Sequence, residues 1–327
     1  MRPISTTLWF CALLLVPTSD ALAELRAGAA VVDVTPTQFP VLVNGGMTSR
    51  SADKVTTPIN ARAIVLDDGQ ERLGIVVVDS CMMPRPLLDE AKALAAGRTK
   101  IRADRMLISA SHSHTAPACM GALGTDADPN YPTLLREKLA EALAAAEANL
   151  EPARAGWAVG NAAEFTALRR WIRRPDRIAD DPFGNPTVRA NMHAGRNWDD
   201  VTGESGPEDP DLSLISLQAK DGRPIAVLAN FSMHYFGGQQ ALSADYFGLF
   251  CEGLKSRIAA GQDDKHPPFV GIMSHGCSGD IWRRDYTKPA GSRRESDTVE
   301  SYTDGLLDMA TGITWYSFET QNKCEST

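Results

Sequence analysis

The chain has 327 residues, of which 43% are hydrophobic and 23% charged, a composition typical of one large or two ordinary globular domains. Its formal net charge of −8 argues against nucleic acid as a partner. Its six cysteines show no CxxC spacing, which excludes a zinc ribbon and a dense disulfide framework.

The N-terminal residues have the pattern of a secretory signal peptide. Arg2 provides a positive charge, Leu8–Val16 form a short apolar core, and Ala21-Leu22-Ala23 fits a small-x-small cleavage site. We therefore expect residues 1–23 to be removed, leaving a secreted or periplasmic mature protein that begins near Glu24. The alternative is an uncleaved membrane anchor, although the apolar core is shorter than a membrane span.

The hydrophobic patterns that follow predict short strands with interspersed helices. Strands are predicted at Ala29–Val34, Asn60–Leu66, Leu73–Val78, Met106–Ser109, Ala153–Val159, Phe165–Ile172, Leu212–Leu217, Ile225–Phe231 and Phe269–Met273, and helices at Pro86–Ala96, Pro132–Leu150 and Ser243–Ala260. Residues 175–211 are rich in Pro, Asp, Gly and Asn and predict a functional or mobile loop, while Thr311–Thr327 shows no strong periodicity. Hairpins mixed with helices favour an α/β or mixed α+β fold, with helices packed on mixed sheets.

Two histidines follow the predicted strand at Met106–Ser109. His112 and His114 are one residue apart in a Ser-rich segment. Because side chains of a strand alternate between its faces, an extended backbone would project both imidazoles to one side. Such a His-x-His arrangement can bring two ligands to one metal ion. The alternative is a loop with two ordinary surface histidines.

His234 follows another predicted strand, close to two glycines at positions 237 and 238. It is either a ligand at a strand end or a core histidine bonded to a backbone carbonyl.

The segment around Ser278 suggests a serine hydrolase, but Asp280 replaces the final glycine of the G-x-S-x-G pattern. A turn that presents Asp280 to a cleft therefore fits better than a nucleophilic serine.

Arginines cluster between Arg169 and Arg177. Such a run usually forms ion pairs on a solvated edge, but it can also contact an anion or a carbonyl near a site. Ser243 and Asp245, ahead of a predicted helix, are typical of a helix N-terminus.

Six segments in order resemble the neutral/alkaline ceramidases, zinc-dependent amidohydrolases that cleave N-acylsphingosine. The resemblance covers residues 26–285 and rests on Ala27–Pro36, Ser111–Pro117 (similar to T-H-T-H-S-G-P), Asn149–Ala153, Gly206–Leu212, Asn230–His234 with Ser243–Asp245, and Gly279-Asp280 (similar to the start of G-D-V-S-P). Their order and spacing together are more specific than any one of them.

The resemblance implies a secreted hydrolase that uses Zn²⁺ to cleave the amide bond of an N-acyl lipid, with peripheral contact to a membrane surface. His112 and His234 match zinc ligands, His114 matches a histidine that positions or protonates the amide, and Arg169 best matches a site arginine. We expect the His112 and His234 rings to approach within about 5 Å. His193, His266 and His275 are expected to lie outside the metal's ligands. The alternatives are a zinc amidase or esterase acting on another substrate, and a lipid- or partner-binding relative.

The chain departs from the family pattern in three places. Trp282 stands where G-D-V-S-P has its serine, and Leu168 stands where an asparagine is common. The family also takes a glutamate and a tyrosine ligand from beyond position 327, and often adds a C-terminal β-sandwich. The sequence therefore predicts that residues 24–327 form a catalytic domain that is incomplete at its C-terminus and has weak zinc binding. Otherwise a local carboxylate, from Asp79, Asp245 or Asp280, completes the site.

Overall fold

A computed structural model describes residues 24–288 and 297–324, so the predicted signal peptide lies outside the described residues. The strands are β1 (Arg26–Asp33), β2 (Val41–Val43), β3 (Arg50–Ala52), β4 (Asn60–Asp67), β5 (Arg72–Val78), β6 (Met106–Ala110), β7 (Glu151–Asn161), β8 (Ala167–Leu168), β9 (Arg170–Arg173), β10 (Ala190–Met192), β11 (Val201–Glu204), β12 (Asp211–Ala219), β13 (Pro224–Phe231), β14 (Val270–His275) and β15 (Ile281–Trp282). The helices are α1 (Arg85–Arg98), α2 (Tyr131–Ala148), α3 (Asp245–Ile258) and α4 (Val299–Cys324). No helix in the described ranges is long and apolar enough to cross a membrane.

Eight strands form one large mixed sheet in the order β14-β13-β12-β7-β1-β4-β5-β6. The pairs β13–β14 and β5–β6 are parallel, and the other neighbouring strands are antiparallel. Strand β7 connects the two halves of the sheet: it pairs with β12 along β12's whole length but with β1 only at Glu151 and Pro152. The two predicted hairpins, β4–β5 and β12–β13, are present, and the mixed α+β fold class is confirmed.

Helices cover the two outer faces of the sheet, while its two halves pack against each other. Helices α1 and α2 bury Leu87, Leu135 and Leu139 against β1, β4 and β5. Helices α3 and α4 cover the β7–β12–β13–β14 half with a core rich in Phe and Tyr. A third core, containing Ile64 of β4 and Ile272 of β14, lies between the halves. The opposite edges of one sheet are thereby brought close to one another, and β6 contacts β14.

Three regions differ from the sequence-based expectation. Helix α4 continues to Cys324 through a segment that shows little periodicity. The strand predicted at Phe165–Ile172 is divided at Arg169, whose backbone N–H donates to the Asp280 carbonyl at 2.8 Å. The predicted loop 175–211 contains β10 and β11, which pair with β9 in a three-stranded sheet. The second and third differences arise from pairing between strands and backbone groups, which local patterns do not encode.

Candidate metal centre

Four histidines meet where the carboxyl ends of β6, β13 and β14 converge. The ring centroids of His112 and His234 are 4.7 Å apart, as close as expected, although His234 is not among the three residues whose ligand atoms lie within 4.8 Å of one another. His114 lies 4.6 Å from His112 and 5.1 Å from His234. His275, which we expected to lie apart, ends β14 with its ring 5.1 Å from that of His112. The cluster thus joins opposite edges of the sheet.

The local backbone fixes the orientation of His112. This residue has a φ of 72°, a left-handed conformation that is uncommon for non-glycine residues and often found at functional sites. Its backbone N–H donates to the Ser80 carbonyl at 2.8 Å, and its Nδ1 lies 2.7 Å from the Cys81 carbonyl. Because a carbonyl only accepts, Nδ1 must carry the proton, which leaves the Nε2 lone pair free for a metal.

His112 and His114 present their Nε2 atoms to the same point. The two atoms are 3.0 Å apart. Two nitrogens on one tetrahedral zinc ion, each about 2.0–2.1 Å from it, would be about 3.3 Å apart. The Cys81 sulfur joins the same group, since its ligand atom and those of the two histidines lie within 4.8 Å of one another. These three residues could hold a metal ion.

His114 is held in place by two neighbours. Tyr235 stacks on it with centroids 3.7 Å apart and planes 14° apart. The backbone of Gly45 lies on the ring, so close that a β-carbon added there would be 2.5 Å from His114 Cγ. The hydroxyls of Ser113 and Thr115 both donate to the Ser243 carbonyl at 2.8 Å, tying the His-x-His segment to the start of α3.

Asp245 fixes the segment that carries His234. This buried carboxylate accepts hydrogen bonds from the backbone N–H groups of Phe236 at 2.8 Å, Gly237 at 2.9 Å and Tyr246 at 2.7 Å. It therefore joins the turn after β13 to the first turn of α3, in keeping with its predicted place at a helix N-terminus.

The carboxylates proposed to complete the metal site have other partners in two of three cases. Asp79 forms a buried ion pair with Arg62 at 2.7 Å and also accepts the Asn60 N–H. Asp245 holds the backbone turn just described. Asp280 lies in the turn before β15, where its backbone carbonyl accepts from Arg169. Only Asp280 therefore keeps a carboxylate with no other assigned task.

Arg169 and two aromatic rings line the site beside His234. The buried guanidinium of Arg169 donates to the Gly279 carbonyl at 2.7 and 3.2 Å. Its central carbon lies 5.5 Å from the Trp282 ring centroid, and Trp282 lies 5.4 Å from Tyr235. Trp282, which stands where the G-D-V-S-P pattern has its serine, thus forms part of the wall of the site. The later arginines of the run instead pair with Asp176 and Asp200, as on a solvated edge.

Burial keeps the clustered imidazoles neutral. Desolvation, reinforced by neighbouring positive charge, lowers the pKa of His114 to about 4, of His234 to about 2 and of His275 to about 3. Burial also lowers the pKa of His112, partly offset by its bond to Cys81. Neutral imidazole is the form that binds metals, and an imidazole-rich donor set suits zinc among the common divalent ions. The residues present therefore fit a zinc ion.

Sequence reasoning brought together His112, His114, His234 and Arg169 but missed several neighbours. Two histidines that were expected to lie outside the metal's ligands have other surroundings. The His193 Nδ1 hydrogen-bonds with the Tyr286 hydroxyl, and its ring centroid lies 6.1 Å from that of Trp282. His266 is exposed in the turn before β14. The strand-end criterion that selected His234 would also have selected His275, which ends the adjacent parallel strand. No sequence signal indicated that Tyr235 or Gly45 would contact His114.

The fold that carries this histidine cluster is ceramidase-like. It matches the neutral ceramidase from Pseudomonas aeruginosa with a TM-score of 0.67 at 17% identity, covering 91% of this chain and 46% of that one. A ceramidase complexed with C2 matches with a TM-score of 0.68 at 17% identity, over 90% of this chain and 44% of that one. No protein-family profile and no curated protein sequence matches the chain. The predicted resemblance is confirmed at the level of fold, and the chain spans less than half the length of these structures.

Proposed function

We propose that this protein is a zinc-dependent hydrolase that cleaves the amide bond of an N-acyl lipid such as a ceramide. The observation that carries the proposal is the convergence of neutral imidazoles, with the ring centroids of His112 and His234 4.7 Å apart, in a ceramidase-like fold. Export to the periplasm or medium, as the N-terminal pattern predicts, would place the enzyme where it meets lipid surfaces.

Each predicted site residue has a task that its surroundings support. His112 and His234 would hold zinc, which supplies polarisation of the carbonyl and a bound water of lowered pKa. His114, held by Gly45 and Tyr235, could accept a proton from the attacking water and then give it to the leaving amine nitrogen, because its imidazole is neutral. The buried charge of Arg169 can stabilise negative charge that develops on the carbonyl oxygen.

Exposed apolar side chains near His114 support an amphiphilic substrate. Met47 is 77% exposed and Leu123 is 71% exposed. Their loops are adjacent, since a β-carbon on Gly124 would lie 2.8 Å from the Met47 carbonyl, and Gly45 of the first loop contacts the His114 ring. Apolar groups at this position can accept an acyl chain or contact a membrane surface.

Metal analysis and hydrolysis of N-acylsphingosines of varied chain length test the proposal. We expect about one zinc per chain and release of fatty acid, with both lost in His112→Ala and His234→Ala. His266→Ala, which changes an exposed histidine away from the cluster, is the matched control and should keep both. If the wild-type chain is found to bind no metal and to hydrolyse no N-acyl lipid, the proposal is refuted and a lipid-binding relative is favoured.

Trp282 favours a second candidate, an amidase or esterase acting on a smaller or more polar substrate. Its indole lies 6.4 Å from the His234 ring and occupies the position of a small residue in the ceramidase pattern. If the Trp282 indole limits the size of substrate that the site accepts, short-chain amides or esters will be cleaved faster than long-chain ceramides. Trp282→Ser should then shift the preference toward long acyl chains.

A further inference from the structure

A single buried hydroxyl joins two histidines of the cluster. Ser278 Oγ lies 3.1 Å from His234 Nδ1 and forms a short hydrogen bond with His275 Nε2. The Ser278 side chain belongs to a residue that is only 5% exposed. His275 has no partner at Nδ1 among the described residues, so it joins this network only through Nε2.

The turn after β14 is built to hold this arrangement. The N–H of Gly276 donates to the Phe231 carbonyl at 3.0 Å, and the N–H of Ile281 donates to the Ser278 carbonyl at 3.0 Å. A β-carbon at Gly276 would lie 2.3 Å from Ser232 Oγ, so the tight approach requires glycine. The hydroxyl of Ser278 is thus placed by backbone contacts on both sides.

The number of protons restricts how the three groups can bond. A hydroxyl has one proton, so Ser278 can donate to only one ring and must accept from the other. If it donates to His234 Nδ1, then His234 carries its proton on Nε2 and cannot bind a metal there. If it donates to His275 Nε2, then His234 donates from Nδ1 and its Nε2 lone pair is free.

A comparison with His112 shows why a third group is needed to fix the tautomer of His234. The partner of His112 Nδ1 is the Cys81 carbonyl, which can only accept, so that one contact fixes the tautomer. The partner of His234 Nδ1 is a hydroxyl, which can donate or accept. An acceptor on the far side of the hydroxyl would remove the ambiguity, and His275 Nε2 is in that position and accepts when His275 carries its proton on Nδ1.

We infer that Ser278 and His275 are positioning residues that hold His234 in the tautomer able to bind metal, through the chain His234 Nδ1–H to Ser278 Oγ–H to His275 Nε2. This inference rests on the proposed metal site. Hydrogen bonds of this kind behind a metal ligand change metal affinity about 10–100-fold. Burial argues against Ser278 as a nucleophile, because only 5% of the residue is exposed.

Co²⁺ titration of the full chain, followed by its visible absorption spectrum, tests the inference. We expect Ser278→Ala and His275→Leu each to weaken Co²⁺ binding about 10–100-fold, and the double variant to be no weaker than either single one because both act through one chain of bonds. Ser278→Thr and His275→Gln, which keep a hydroxyl and an acceptor, should restore much of the affinity. Ser274→Ala is the matched control, since that hydroxyl donates to Ala229 O and accepts from Asn230, away from the cluster.

Imidazole ¹⁵N NMR of the metal-free chain gives a readout that a structural role would not change. We expect His234 to be protonated at Nδ1 in the wild type and to become a mixture of tautomers in Ser278→Ala. Co²⁺ binding unchanged in both single variants, but lost in His234→Ala, would overturn the relay and leave the proposed function intact. Co²⁺ binding unchanged in His234→Ala would instead refute the metal site. Labelling of Ser278 by a fluorophosphonate would overturn the relay by showing a nucleophile.

Discussion

Gly45→Ala should separate the cost of backbone strain from the cost of displacing His114. Gly45 has a φ of +102°, and an added β-carbon would lie 2.5 Å from His114 Cγ and 2.7 Å from His114 Nδ1. Tyr235 stacks 3.7 Å from the same ring, so the imidazole cannot simply rotate away.

Two effects with different sizes follow from this geometry. A left-handed conformation costs a non-glycine residue about 1–2 kcal/mol, which lowers the free energy of unfolding. Relief of the clash needs a shift of the ring by about 1 Å, and a displacement of that size in a catalytic group can lower the rate about 100-fold. The loss of activity should therefore exceed what the loss of stability explains.

Gly222→Ala is the matched control, because Gly222 has a φ of +92° with open space where the β-carbon would lie. We expect both variants to lower the midpoint of thermal unfolding by a similar amount. Only Gly45→Ala should lower kcat for amide hydrolysis. Equal activity of the two variants, at temperatures where both are folded, would refute the contact between Gly45 and His114.

Two further predictions concern Asp245 and acid. Asp245→Asn places an amide N–H₂ against one of the three backbone N–H groups that the carboxylate binds, which should lower the free energy of unfolding by about 1.5–3 kcal/mol. The variant should also bind Co²⁺ more weakly, because the segment that carries His234 is loosened. Unchanged thermal unfolding and unchanged Co²⁺ binding would contradict the positioning role of Asp245. Burial lowers the pKa of His114 to about 4 and of His275 to about 3, from 6.5, so below pH 6.5 the unfolded chain takes up protons that the folded chain does not. The EDTA-treated protein should therefore lose stability toward urea as the pH falls from 6.5 to 4. The loss should be smaller in His275→Leu, which removes one of the rings. A urea stability that does not change with pH would show that these rings take up protons in the folded chain.

Local patterns determined most of the large sheet and three of the described helices. Short apolar runs in β4, β5, β12 and β13 specify buried strands, and their short polar connections specify hairpins. The same reasoning located His112 and His234, because a polar residue directly after a buried strand lies at the edge of a sheet. The existence of these strands depends on neighbours in sequence, so one sequence was sufficient for them.

The composition of the site was decided by tertiary structure. His275 joins the cluster only because β14 pairs in parallel with β13 and the two halves of the sheet face each other. Arg169 reaches the site because its backbone bonds to Asp280, more than a hundred residues away, which interrupts a strand that the local pattern predicts as continuous. The sequence by itself determined which residues can bind a metal and which strands they follow. Tertiary structure decided which of them meet, because the register and curvature of the sheet are set by packing over its whole area.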